Sequence, residues 1–296
     1  MKNLVLPVRK KLTAAVATFT TAITLITSSN LFANEAPTSE RIVSAGSAVT
    51  ELLFALDAKE NLVAVDVTSE IPKEMTLPKV GYHRRLSAEG LLALAPTKVI
   101  GSDEMGPSTT LEQLQSAGVD IEIVNTKADV DGLLQRIDQI ANLVDRQPQA
   151  VKLKQKVSQQ VSALEHNQPE KADKKKVLFL LIHEGRAANV AGLDTTPDAI
   201  IKLAGGENPA ADKLTSYKPL STEAMVEMQP DVILVSGRSY QTIGGADAIL
   251  KAMPLLAATP AGMNKKFVTI DGHALVGGLG LKSLTEAKRL NRLLYP

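Results

Sequence analysis

The 296-residue sequence contains no cysteine and no tryptophan, and aromatic residues make up only 3% of it. Without cysteine there is no disulfide framework, no thiolate metal site, no cysteine nucleophile and no residue on which a bacterial lipoprotein anchor could be built. Histidine is scarce as well: His83, His166, His183 and His273 are the only four, too few and too scattered for a zinc or manganese capture site. A Gly-x-Ser-x-Gly elbow and a phosphate-binding loop are both missing. Gly277-Gly278-Leu279-Gly280 lacks the preceding strand and the following acidic residue of a dinucleotide fingerprint, and reads as a tight turn before the last helix. No residue pattern therefore supports catalysis. Beyond the N-terminus no run is long and apolar enough to span a bilayer.

What is present begins with a leader. Lys2, Arg9, Lys10 and Lys11 precede an apolar stretch from Leu12 to Ile26, and Leu31-Phe32-Ala33 offers a small residue for cleavage. The pattern predicts a signal peptide over residues 1–33 and export to the periplasm. The formal charge of +1 rests on 33 basic and 32 acidic residues, and removing the four leader cations leaves 29 against 32. A slightly acidic mature chain has no global reason to bind nucleic acid.

The rest of the chain repeats itself. Leu86-Ser87-Ala88-Glu89, six residues and Pro96 recur as Leu220-Ser221-Thr222-Glu223, six residues and Pro230, at an offset of 134. Each copy predicts a serine-capped helix with a glutamate in its first turn, then a buried strand, Lys98–Gly101 or Val232–Val235. Strands at Ile42–Ser44, Leu62–Val65 and Ile121–Val124 alternate with helices near Val49–Leu56 and Leu111–Ala117 in a first α/β lobe, residues 34–129. Residues 130–170 show no strand signal. Leu133, Leu134, Ile137 and Ile140 form one apolar face, and Pro148 opens a helix whose Ala150, Leu153, Val157, Val161 and Leu164 step by three and four. Lys152, Lys154 and Lys156 read as its solvated face. A second lobe, residues 171–296, follows with strands at Val177–Ile182 and Phe267–Ile270 and helices at Pro197–Ala204, Ala246–Ala252 and Leu281–Leu294. The expected fold is thus two similar α/β lobes joined by a long linker helix, with a ligand cleft between them.

Tyr82 lies in a loop between Pro78 and Ser87, flanked by His83, Arg84 and Arg85. A phenol titrates near ~10, and adjacent guanidinium groups favour the phenolate, a good ligand for ferric iron and an axial ligand in some haem proteins. Arginines also pair with carboxylates such as haem propionates. The same residues equally describe a surface aromatic beside solvated arginines. His183 ends the strand Val177–Ile182 and emerges where ligand loops gather, either as a ligand or as a plain loop histidine.

The stretch Val80-Gly81-Tyr82-His83-Arg84-Arg85-Leu86-Ser87-Ala88-Glu89-Gly90, with Ala187-Ala188-Asn189-Val190-Ala191-Gly192, Thr196, Asp198-Ala199-Ile200, Leu203-Ala204-Gly205-Gly206 and Gly244-Gly245, resembles the periplasmic haem-binding proteins of ABC-type haem importers. The wider group also holds cobalamin and ferric-siderophore binders. The resemblance implies haem as cargo, Tyr82 as axial iron ligand, His183 as a second ligand to that iron or to a second stacked haem, and Arg84 and Arg238 as partners of phenolate or propionate charge. It further implies that Glu89 and Glu223 dock the two lobes on an inner-membrane ABC permease dimer. The protein itself is then expected to be a monomer, supplied indirectly by an outer-membrane haem receptor system. The turn Gly278-Leu279-Gly280-Leu281-Lys282 departs from the family, whose members commonly carry an aromatic and a Pro-Arg pair there. A ferric-siderophore or cobalamin binder is the rival within this fold, and a tetrapyrrole-modifying enzyme the rival of another class.

Overall fold

This computed structural model describes residues 40–182 and 186–296. The expected signal peptide and His183 lie outside the described residues. The first lobe comprises β1 (Ile42–Ala45), α1 (Ser47–Ala55), β2 (Leu62–Val65), α2 (Ala88–Leu92), β3 (Lys98–Ser102), α3 (Ser108–Ser116) and β4 (Asp120–Val124). Its strands lie in the order β2-β1-β3-β4, all parallel. Helices cover both faces of such a sheet, which is why β1 is buried at every position instead of alternating.

The linker is a pair of helices, α4 (Val130–Leu143) and α5 (Gln147–His166). Asp129 caps α4 by accepting from the Gly132 N–H at 2.6 Å, and Pro148 sits in the first turn of α5. At 20 residues α5 spans about 30 Å, and it buries Ala150, Leu153, Val157, Val161 and Leu164. Lys152 and Lys156 face solvent, whereas Lys154 bonds Asp138 of α4 at 2.7 Å.

The second lobe comprises β5 (Val177–Leu181), β6 (Asn189–Ala191), α6 (Thr196–Leu203), β7 (Tyr217–Pro219), α7 (Thr222–Glu227), β8 (Val232–Ser236), α8 (Gly237–Ile243), α9 (Ala246–Ala252), α10 (Pro260–Met263), β9 (Phe267–Ile270) and α11 (Leu281–Leu294). Its sheet runs β7-β6-β5-β8-β9. Strands β5, β8 and β9 are parallel, while β6 and β7 add an antiparallel edge. The repeat survives folding: Ser87 and Ser221 each accept from an N–H three residues on, at 3.3 Å. The strand after each capped helix, β3 or β8, pairs in parallel with its lobe's first strand, β1 or β5. No described helix is long and apolar enough to cross a membrane.

One apolar cluster runs through both lobes and the linker, joining Ile42, Leu52 and Ile100 to Ile137 and Val157, then to Phe179, Ile200, Leu234, Leu284 and Leu290. Smaller clusters fill the far side of each sheet. Helix α11 packs on α1, α5 and α6, so the end of the chain ties the lobes together.

A polar clasp reinforces that tie. Glu51 of α1 accepts from the N–H groups of Leu281, at 2.6 Å, and Lys282, at 3.0 Å, and so caps the start of α11. A Cβ at Gly280 would stand 2.0 Å from the Glu51 carboxylate, and one at Gly278, where φ is +87°, would stand 2.5 Å from the Thr126 carbonyl. Arg136 of α4, fully buried, donates to the carbonyls of Leu279 and Asn125. The glycine turn thus has an interlobe role that its sequence did not disclose.

Burial pushes Glu51 up to about 7, against the lowering influence of the two N–H groups, Arg136 and Lys282. Because the folded pKa lies above the unfolded one, stability from this carboxyl is present at low pH and is lost as pH rises through about 7. The Tm of Glu51→Gln, which cannot titrate, should therefore rise relative to the parent between about pH 5 and pH 8. A pH-independent difference in thermal melts would show that the carboxyl does not titrate there.

Candidate functional site

Tyr82 is delivered by an extended segment lying beside β2. Val80 donates to the Val65 carbonyl at 3.0 Å, and Val67 donates to that of Gly81 at 2.8 Å. The short turn His83–Arg85 follows, stitched to the loop after β3: Gly106 N–H donates to the His83 carbonyl at 3.0 Å and Leu86 N–H to the Gly106 carbonyl at 2.8 Å. The turn therefore sits at the carboxyl ends of β2 and β3, where open parallel sheets present their ligand loops. Tyr82 is 41% exposed, whereas His83 is turned inward and 1% exposed.

The two rings touch, with centroids 4.5 Å apart and planes at 58°. Behind them runs a chain of alternating charge. His83 Nδ1 lies 2.9 Å from Asp66 Oδ2 and Nε2 lies 3.7 Å from Glu104 Oε2. Glu104 also pairs with Arg84. Asp66 is fully buried and accepts from the hydroxyls of Thr68 and Ser69, both at 2.7 Å. Ser69 continues through Thr50 at 2.6 Å to Ser44 of β1 at 2.7 Å.

The ionisation states follow. Burial alone would raise the Asp66 carboxyl, but hydrogen bonds from His83, Ser69 and Thr68 outweigh it and hold it below its ordinary value. Burial would depress His83, but its hydrogen bond to Asp66 and the nearby carboxylate of Glu104 raise it. Glu104 is lowered first by the neighbouring His83, 3.7 Å away, against burial, and further by Arg84. Across the cleft, burial pushes the Tyr217 phenol of β7 upward, and the negative charge of Glu104 adds to this while Arg84 opposes it. Glu104 and Arg84 thus act on Tyr217 from the first lobe.

Arg84 is accordingly engaged with Glu104 in this structure. Arg238 stands in the first turn of α8 and lines a second-lobe cavity of about 750 Å³ with Arg186, Ile182, Ala188, Met225 and Met253. Two guanidinium groups over an apolar wall suit a flat apolar ligand bearing carboxylates. A cavity of about 600 Å³ lies between the lobes, with Thr126 and Lys127 on one side and Leu193 and Lys202 on the other. Tyr82 lines neither. Glu89 and Glu223 are exposed in the first turns of α2 and α7. Glu70, Asp271 and His273 bring ligand atoms within 4.8 Å of one another, but Lys282 Nζ, paired with Glu70 and 2.7 Å from Asp271, already supplies the cation there.

Sequence reasoning overlooked Asp66, Glu104 and Arg186. The available signal was positional, since Asp66 follows β2 directly and Glu104 closely follows β3, at the edge where a ligand loop must be supported.

Residues 42–274 match the periplasmic binding protein family. The chain belongs to that family. It is 64% identical to the periplasmic haem-binding protein HutB of Vibrio cholerae, whose crystal structure superposes with a TM-score of 0.83 over 87% of this chain and 100% of that one. The haem-binding protein RhuT of Roseiflexus sp. RS-1, solved in apo form, is 38% identical at a TM-score of 0.81, covering 87% and 98%. BhuT, solved in complex with two haems, is 36% identical at 0.78, covering 86% and 97%. The vitamin B12-binding protein of Vibrio parahaemolyticus is 29% identical over 208 residues, 69% of this chain and 74% of its own. The family is one of periplasmic binding proteins, and its members' two-lobed α/β fold is the one described above.

Proposed function

We propose that this protein captures haem in the periplasm and delivers it to an inner-membrane ABC permease without chemically changing it. The observation that carries the reading is the exposed Tyr82 phenol, set in an arginine-flanked turn at the ligand edge of the first lobe and backed by a buried charge chain. A phenolate is a hard ligand suited to ferric iron. Arg238 and Arg186 on the second lobe, and Arg84 on exchange from Glu104, supply partners for propionates. The resemblance to HutB, RhuT and BhuT supports haem over other cargo.

Cobalamin remains the rival cargo, since vitamin B12-binding proteins share the family. The two separate on absorption, because ferric haem bound by tyrosine gives a Soret band and cobalamin does not. His183 follows β5 in sequence and is assigned as a second ligand, to the same iron or to a second haem. The exposed Glu89 and Glu223, at equivalent sites of the repeat, are assigned to docking. A two-lobed carrier facing a two-fold permease needs one carboxylate per lobe to meet basic residues on each subunit. Export by the leader and supply from an outer-membrane haem receptor system complete the reading.

Replacing Tyr82 with Ala should alter the ferric spectrum and weaken haem binding by about 10–100-fold. An unchanged spectrum and affinity would remove Tyr82 from the site. His183→Ala should change the spin state or the haem-to-protein ratio in a titration, and parental values in both would leave His183 a plain loop residue. Glu89→Ala combined with Glu223→Ala should keep haem binding intact while sharply slowing transfer to the reconstituted transporter. Normal transfer by the double variant would sink the docking role.

A further inference from the structure

His83 stands next to Tyr82 in sequence but occupies the opposite environment, 1% exposed against 41%. Its ring packs against the Tyr82 ring at 4.5 Å between centroids, so one side of the phenol is supported while the residue as a whole stays 41% exposed. Its nitrogens face Asp66 at 2.9 Å and Glu104 at 3.7 Å, which leaves the imidazole little freedom to rotate. Asp66 in turn is anchored through Ser69 and Thr50 to Ser44 of the central strand β1. The His83 carbonyl is held by Gly106. The bracing therefore reaches from the sheet to the ring through an unbroken series of bonds.

We propose that His83 is a positioning residue for haem capture: clamped between Asp66 and Glu104, it holds the Tyr82 ring at a fixed tilt and, through Glu104, keeps Arg84 beside it. This rests on the reading of Tyr82 as the iron ligand. A tyrosine on a loop loses rotamer freedom when it ligates, and a ring already held in place loses less. Groups behind a metal ligand act in this way without touching the metal. An aliphatic side chain at position 83 would fill similar space, but it would leave Asp66 and Glu104 without their shared partner and the phenol without its backing.

The test compares His83→Leu and Glu104→Gln with the parent, first without haem. With fluorotyrosine at the four tyrosine positions, the Tyr82 line in the fluorine NMR spectrum is identified by its loss in Tyr82→Phe. His83→Leu should broaden or split that line while those of Tyr217, Tyr240 and Tyr295 stay in place. With haem loaded, dissociation into excess apomyoglobin should be about tenfold faster in His83→Leu, with a weaker phenolate-to-iron charge-transfer band. Glu104→Gln should change both readouts in the same direction to a smaller degree. A folded His83→Leu with the parental Tyr82 line and dissociation rate overturns the proposal. If that variant does not fold, parental values in Glu104→Gln overturn it instead. Failure of the underlying reading looks different: Tyr82→Ala would then leave the haem spectrum unchanged, and the haem-free line would still report whether His83 holds the ring.

Discussion

The two lobes share one hydrophobic core, and the rest of the molecule follows from that continuity. Apolar side chains from β1 and α1, the linker helices, β5, β8 and α11 form a single cluster, so the lobes cannot separate without exposing Leu52, Ile137, Phe179 and Leu290 to water. Helix α11 belongs to the second lobe in sequence yet packs on α1 of the first, and Glu51 caps its start across the junction. The orphan N–H groups of one lobe's helix are satisfied by the other lobe's carboxylate. A cleft built on such a junction has its walls set before any ligand arrives.

The electrostatics of the site follow from where its charges end up. Asp66, His83, Glu104 and Arg84 alternate in sign, so the buried part of the chain carries its own neutralisation. A buried aspartate without such a partner would be strongly destabilising, and here histidine and two hydroxyls hold it ionised. The chain also changes what Arg84 offers. Its guanidinium is paired with Glu104, so an incoming carboxylate must exchange with that partner, whereas Arg238 and Arg186 carry no charged partner among the described residues. An incoming carboxylate therefore finds its readier partners on the second lobe.

Much of the architecture was legible in the sequence because it rests on local signals. The strands at Leu62–Val65 and Phe267–Ile270 and the helices at Ala246–Ala252 and Leu281–Leu294 are read from apolar runs and from steps of three and four, which the backbone period imposes directly. The serine caps are local too, because a hydroxyl and an N–H three residues on meet within a single turn. The strand Asn189–Ala191 and the edge strand Tyr217–Pro219 escaped because three residues are too few to show a period, and Pro219 argues against a strand except at an edge. Helix Gly237–Ile243 escaped because it begins with glycine and buries no residue.

The sequence by itself determined the two α/β units, the long helix joining them and the exposed placement of Tyr82, since each depends on neighbours a few residues away along the chain. Only the tertiary structure decided which charges meet. Asp66 and His83 are 17 residues apart, Arg84 and Glu104 are 20 apart, and Glu51 and Leu281 are 230 apart. No pattern of composition or period encodes contacts at those separations. They exist because parallel strands bring the loops at their carboxyl ends together, and because a core shared by both lobes brings the last helix back against the first.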